Sequence, residues 1–329
     1  MKSKVKWIIP FLLTVLAVAG CSGKEQGNSK QEKSPDKIKV YATVYPLQYF
    51  AGSIGGKYVE AESVYPPGTD EHTFEPSQKD IIKMTDADLF LYVGHGLEGF
   101  VEKSKGILEG EDVAMAAIGE KMDLKEESHD DRVHEEESHD EHAHEEESHD
   151  EHAHGDIDPH VWLDPVLAKE MAGLIRDELA KQKPEEKVYF EENYTKLAAK
   201  LDALDKSFQK TAADAGRKEL IVSHAAYGYW EKRYGIKQIS VAGLSSSSEP
   251  SQKQLQKVVE TAKKHDIKYV AFEQNVSSKL TETIQNEIGA APLTLHNLSV
   301  LTEKDIKSKE DYFTLMDKNL SAVRTALNK

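Results

Sequence analysis

Cysteine is all but missing from this chain: Cys21 is the only one in 329 residues, so no disulfide within the chain can support the fold. Long apolar runs are missing too. The longest, residues 8–20, has 13 residues, short of the roughly 20 that a membrane-spanning helix needs. Basic residues are outnumbered, 42 Lys and Arg against 58 Asp and Glu. They form no stripe, which argues against a nucleic-acid partner. Acidic charge is abundant but local: residues 125–156 carry fifteen carboxylates against Lys125 and Arg132. The acidity therefore belongs to one segment and not to the fold as a whole.

The first twenty residues read as an address. Lys2, Lys4 and Lys6 precede the apolar stretch, which ends in Val18-Ala19-Gly20-Cys21. A positive region, a short apolar core and small residues before the cut describe a signal peptide. Small residues leading into a lone cysteine resemble the lipobox of bacterial lipoproteins, which makes Cys21 the lipid-attachment residue. Residues 21–37 then form a polar tether, too poor in apolar side chains to pack. The expected location is outside the cell membrane, anchored to its outer face.

A chain of this length exceeds what one core usually organises. Strand patterns fall at 38–45, 59–65, 87–93 and 112–117, and again at 219–223, 236–241, 268–272 and 292–295. Helical spacers such as 77–84 and 252–265 separate them. Strand and helix in alternation imply mostly parallel sheets, hence two α/β lobes, 38–183 and 216–329. Between them, Leu197, Leu201, Leu204 and Phe208 mark one helical stripe within 184–215. Pro184 suits the start of that helix and Gly216 its end. One unbroken helix of this length would be a stiff strut; an ordinary surface helix broken once fits the pattern equally.

Histidine carries the functional information. Eight of the 14 lie in the acidic segment: His129, His134, His139, His142, His144, His149, His152 and His154. Residues 135–144 repeat identically at 145–154. Such a low-complexity insertion cannot build a core, and imidazoles among carboxylates suit weak multivalent metal capture. His134 and His139 are five apart, which breaks the helical spacing of the metalloprotease HExxH motif. His72, His160 and His224 lie instead beside strand ends or helix starts. Ligands of open α/β sheets bind at the carboxyl ends of strands, so the cleft between lobes is where these three could meet. Asp164 stands where it can cap a helix opened by Pro165. His95 and His265 lack such a context, and His265 suits a helix C-terminus.

The motifs His72-Thr-Phe-Glu-Pro76, Gly94-His-Gly-Leu-Glu98, Asp158-Pro-His-Val-Trp-Leu-Asp-Pro165 and Ser223-His-Ala-Ala-Tyr-Gly228 resemble the metal-specific solute-binding proteins of zinc and manganese ABC uptake systems, the ZnuA-like group. The resemblance covers nearly all of the mature chain. It implies four-stranded lobes, a long helix limiting their motion, and His72, His160 and His224 as metal ligands. It also implies an ABC permease and its ATPase as partners, a monomer, and Zn²⁺ as bound cargo. Manganese members usually have a carboxylate where this chain has His224, and three imidazoles suit Zn²⁺ while Mn²⁺ favours oxygen. Several zinc-binding relatives supply a fourth ligand from the loop after the last strand, where this chain has Ser299. A water, Glu273 or His296 could replace it, with Glu273 favoured as a near-site carboxylate. Glu71 is disfavoured because a neighbour of a ligand usually faces elsewhere. The Gly94-His-Gly96 step also departs from the group, in which a small polar residue is commoner than His95.

The expected function is high-affinity extracytoplasmic zinc capture for an ABC importer, with no catalytic residues. A manganese-binding homologue is the alternative. A zinc hydrolase is a more distant one, since three protein ligands plus water also describe a catalytic site, yet no general-base motif accompanies them.

Overall fold

The computed structural model describes residues 36–124, 157–248, 250–275 and 278–328. The signal peptide, the tether up to residue 35, Cys21, and the eight histidines of the acidic insertion lie outside these residues. Among the described residues, no helix is long and apolar enough to cross a membrane.

The first lobe alternates β1 (Ile38–Ala42), α1 (Tyr45–Gly55), β2 (Val59–Ser63), α2 (Gln78–Thr85), β3 (Leu89–Tyr92), α3 (Val101–Gly110) and β4 (Ala114–Ala117). Two long helices follow, α4 (Pro165–Gln182) and α5 (Lys187–Ala213). The second lobe repeats the alternation with β5 (Glu219–Val222), α6 (Gly228–Tyr234), β6 (Lys237–Ser240), α7 (Gln252–Lys264), β7 (Tyr269–Phe272), α8 (Lys279–Ile288) and β8 (Ala291–Thr294). It closes with α9 (Glu303–Ser308) and α10 (Tyr312–Asn328).

Both sheets are wholly parallel, ordered β2-β1-β3-β4 and β6-β5-β7-β8. Each strand order reverses direction beside its first strand, which opens a crevice past the carboxyl ends of β1 and β3 and of β5 and β7. The local chemistry explains the element ends. Ser77 with Asp80, and Ser251 with Gln254, form capping boxes that start α2 and α7. Gly235 and Gly289 take left-handed backbone and stop α6 and α8. Pro46, which ends the extended pattern in the sequence, sits in the first turn of α1, so β1 is shorter than its alternation suggests.

The helix expected over 184–215 is present and runs from Pro184 to Ala213, its first turn tightened to 3-10 geometry. Pro184–Glu186 form a 3-10 turn, and α5 proper has 27 residues, about 40 Å at 1.5 Å per residue. Phe190, Leu197, Leu201, Leu204 and Phe208 are all buried. They are covered because α5 packs on α1 and α4 of the first lobe and on α6 and α10 of the second. It is a shared wall of both lobes.

That wall makes the core continuous. One cluster of buried side chains runs from Phe50 and Leu91 through Trp162 and Phe208 to Trp230 and Leu315. A smaller one, with Ile221, Val258 and Val270, lies under α7 and α8. Polar links cross as well. Trp162 Nε1 donates to the Asn297 carbonyl at 2.7 Å, and Trp230 Nε1 donates to that of Leu163 at 2.7 Å. Tyr312 and Tyr229 hydroxyls donate to the carbonyls of Trp162 and Asp158. The segment carrying His160 is thus clamped by the second lobe.

Asp164 caps α4, accepting from Val166 and Leu167 N–H at 2.8 and 3.1 Å, and its second oxygen accepts from Arg233. Asp164→Ala removes the cap and leaves the guanidinium without its partner. The expected loss is about 2 kcal/mol, read as a lower urea midpoint with an unchanged slope.

Candidate metal centre

Each of the three histidines enters from a different local device. His72 lies in the loop after β2, where Asp70 Oδ1 accepts its backbone N–H at 2.9 Å and bends the chain. His160 follows Asp158, whose Oδ1 accepts both the His160 N–H at 2.9 Å and its ring Nδ1–H at 2.8 Å. A 3-10 turn, Val161–Leu163, then leads into the cap at Asp164. His224 stands two residues past the end of β5, inside the crevice where β5 and β7 part.

The structure brings all three together. Ring centroids lie 5.4 Å apart for His72 and His160, 5.6 Å for His72 and His224, and 5.1 Å for His160 and His224. Glu71 joins them: one donor atom from each of these four residues lies within 4.8 Å of all the others. The Nε2 atoms of His160 and His224 are 3.3 Å apart. That equals the donor–donor edge of about 3.3 Å in a tetrahedron with zinc–nitrogen bonds of 2.0–2.1 Å.

Glu273 is near the site but not within that group. Its Oε1 accepts from His224 Nδ1 and from Ser223 Oγ, and its Oε2 accepts from Asn297 Nδ2 at 2.9 Å. It orients a candidate ligand, as carboxylates behind metal-bound imidazoles commonly do. Asp158 does the same for His160. Asn297 Nδ2 also donates to Glu71 Oε1 at 3.1 Å, so a single amide ties together both glutamates. His296 is occupied elsewhere: its Nε2 meets Asp305 and its Nδ1 accepts from Leu298 N–H. Ser299 is buried with its hydroxyl on Asn297 Oδ1.

The objection to Glu71 fails for a reason specific to turns. Neighbours on a strand face opposite sides, but the chain from Asp70 through Thr73 is a turn, and both Glu71 and His72 point inward. Asp70 two residues before His72 is the sequence signal for that turn. Asn297 had no such signal.

Burial sets the protonation of the group. His72 is driven down to about 3 by burial and by the two neighbouring imidazoles. His160 is held well below its usual range, by burial first and then by His224. Burial also opposes charge on His224, but the Glu273 carboxylate outweighs it, and the His224 imidazole lies above its ordinary value. Glu273 is lowered in turn, His224 overcoming the effect of burial. Burial lifts both Glu71 and Asp158 to about 7.

Nδ1 of His160 and of His224 both face carboxylates, so their Nε2 atoms meet across 3.3 Å and need something positive between them. A proton on His224 serves, donated to His160. A cation coordinated by both nitrogens serves as well. The buried Nε2 of His72, which has no hydrogen-bond partner, is a third nitrogen suited to that cation. Three imidazoles and one carboxylate form a closed four-donor set suited to Zn²⁺.

Comparison with known proteins agrees with this chemistry. The profile of the family ZnuA, "Zinc-uptake complex component A periplasmic", matches residues 40–326. The chain is 38% identical over 327 residues to the high-affinity zinc uptake system protein ZnuA of Bacillus subtilis, covering 98% of each. It is 36% identical over 297 residues to the zinc-binding lipoprotein AdcA of Streptococcus pneumoniae, covering 90% of this chain but 57% of that longer protein. Among solved structures, the Zn(II)-bound ZnuA-like domain of S. pneumoniae AdcA superimposes with a TM-score of 0.70 at 32% identity, over 89% of this chain and 100% of that one. The metal-dependent lipoprotein YcdH of B. subtilis gives 0.70 at 33% identity, over 88% and 100%. With its profile matched from residue 40 to 326 and its donor set converging in the cleft, the chain belongs to the ZnuA family.

Proposed function

We propose that this protein is the extracytoplasmic zinc-binding component of an ABC zinc importer. It captures one Zn²⁺ between its lobes on His72, His160, His224 and Glu71, and delivers it to a permease driven by an ATPase subunit. The observation that carries the reading is the convergence of three imidazoles and a carboxylate within 4.8 Å, with a buried His72 nitrogen left unpartnered. Zinc is cargo here and not a catalytic cofactor. Catalytic zinc sites keep a coordination position for water; with Glu71 as fourth donor none is left, which speaks against a hydrolase. The nitrogen-rich donor set speaks against manganese. A titration of Zn²⁺ against Mn²⁺ tests this: one tight zinc site is expected, with manganese weaker by orders of magnitude. Equal affinities would overturn it.

The proposal extends to residues outside the described ones. Cys21 is the lipid anchor, residues 1–20 the signal peptide and 21–37 the tether, placing the lobes on the outer face of the cell membrane as a monomer. The domains run 38–183 and 216–329, with 184–215 as the link. Histidines of the 125–156 insertion recruit zinc at high local concentration. Supporting this, Ile157, the first described residue after the insertion, lines the same cavity as His72. Deleting 126–155 is expected to slow zinc loading at scarce zinc and to leave the affinity of the cleft site unchanged. Stopped-flow loading beside equilibrium competition with a chelator separates the two effects; a collapse of affinity would place the tight site in the insertion.

A further inference from the structure

His95 takes no part in the site described above. It lies in the turn after β3 with φ +52°, between Gly94 at +87° and Gly96 at +77°. Three successive left-handed residues are easy for glycine and tolerated by His, Asn or Asp, so this backbone does not itself demand an imidazole. The ring lies over Gly119, where an added Cβ would come within 3.3 Å of His95 Cδ2. Among the described residues, its one polar contact is from its backbone N–H to Glu120 Oε1 at 3.4 Å. Its Nε2 is buried and without a partner.

Among the described residues, two buried side-chain nitrogens lack a partner, His72 Nε2 and His95 Nε2. Both residues line one cavity of about 470 Å³, together with Ile157, Pro159, Gly243 and Leu244. This cavity lies on the accessible side of the candidate ligands. His160 and His224 are 0% and 1% exposed, whereas His72 is only half-buried. An ion arriving from solvent therefore meets His72 first, through a cavity in which His95 is the other imidazole.

We propose that His95 is a transfer ligand for zinc. A hydrated Zn²⁺ ion in the cavity exchanges one water for His95, and then exchanges His95 and its remaining waters for His72 and the donors behind it. Every protein donor that binds displaces water or the His95 imidazole, which return free to the cavity, and the protons held by His224 and Glu71 leave with the released water. The inference rests on His72 being a ligand of the final site. Because His95 acts on the path and not in the end state, it lowers the barrier in both directions. Capture and release then change together.

The test is stopped-flow zinc exchange with a chromophoric chelator, on the full-length protein carrying His95→Asn. Asparagine tolerates the left-handed backbone and removes the imidazole. His95→Gly, for which that backbone is unstrained, is the second variant should the first fold poorly. Both are repeated with 126–155 deleted, so that the histidines of the insertion cannot mask the effect. Association and dissociation are each expected to slow by about tenfold, equivalent to about 1.4 kcal/mol in the barrier, with their ratio unchanged. Unchanged rates in both backgrounds would overturn the proposal. So would faster dissociation with unaltered association, which would make His95 a ligand of the final site. Failure of the underlying assignment shows separately, as tight zinc binding that survives His72→Ala.

Discussion

His160→Ala lowers zinc affinity by about a hundred- to a thousandfold while the lobes stay folded. Structural zinc sites of four donors provide about 10–16 kcal/mol in all, so one donor accounts for about 3 kcal/mol, and each 1.4 kcal/mol is tenfold in affinity. His160 is the least replaceable of the three because it is fully buried and held at both its N–H and Nδ1 by Asp158. The fold survives because Asp158 keeps the backbone N–H of residue 160, a hydrogen bond that does not depend on the side chain. A milder companion is Glu273→Gln. It keeps the shape behind His224 but removes the charge, and alterations of such supporting groups typically cost 10–100-fold in affinity. Chelator competition gives both affinities, and circular dichroism checks the fold. A His160→Ala protein with wild-type affinity would remove that residue from the ligand set.

The second large effect is pH. Zinc and protons compete for the same atoms, so affinity falls once pH drops below the pKa of a ligand in the folded, zinc-free protein. His72, near 3, and His160, well below its usual range, are already neutral at every working pH and add no dependence. His224 stands above the ordinary histidine value and Glu71 at about 7, so both must lose a proton to bind. Each proton displaced costs about tenfold in apparent affinity per pH unit. From pH 7 to pH 5 the expected loss is therefore about a thousandfold or more, with close to two protons released per zinc at the lower end. Calorimetry in buffers of different ionisation enthalpy counts those protons directly. A flat profile over that interval would contradict ligation by His224 and Glu71.

Much of this was legible in the sequence, for identifiable reasons. Strand periodicity located the eight strands of the described residues, because parallel strands of short α/β units alternate with helices whose ends are marked by Ser77, Ser251, Gly235 and Gly289. His72, His160 and His224 stood out by their positions beside strand ends and helix starts, where a doubly wound sheet leaves its crevice. The pairing of helix faces was not legible. The stripe on α5 shows which side is buried but not that two lobes share it. Nor was Glu71, whose direction depends on a turn set by Asp70 and on an amide, Asn297, more than two hundred residues away. Glu273 was placed near the site by its position at the end of β7, and its hydrogen bond to His224 explains why a carboxylate stands there.

The measurement that bears most directly on the account is anomalous diffraction at the zinc edge from crystals of the zinc-loaded protein. One strong peak is expected in the cleft, about 2.0–2.2 Å from Nε2 of His72, His160 and His224 and from a carboxylate oxygen of Glu71. Nδ1 of His160 and of His224 should remain on Asp158 and Glu273. A peak bound instead by histidines of the 125–156 insertion, with the four cleft residues left unligated, would contradict it.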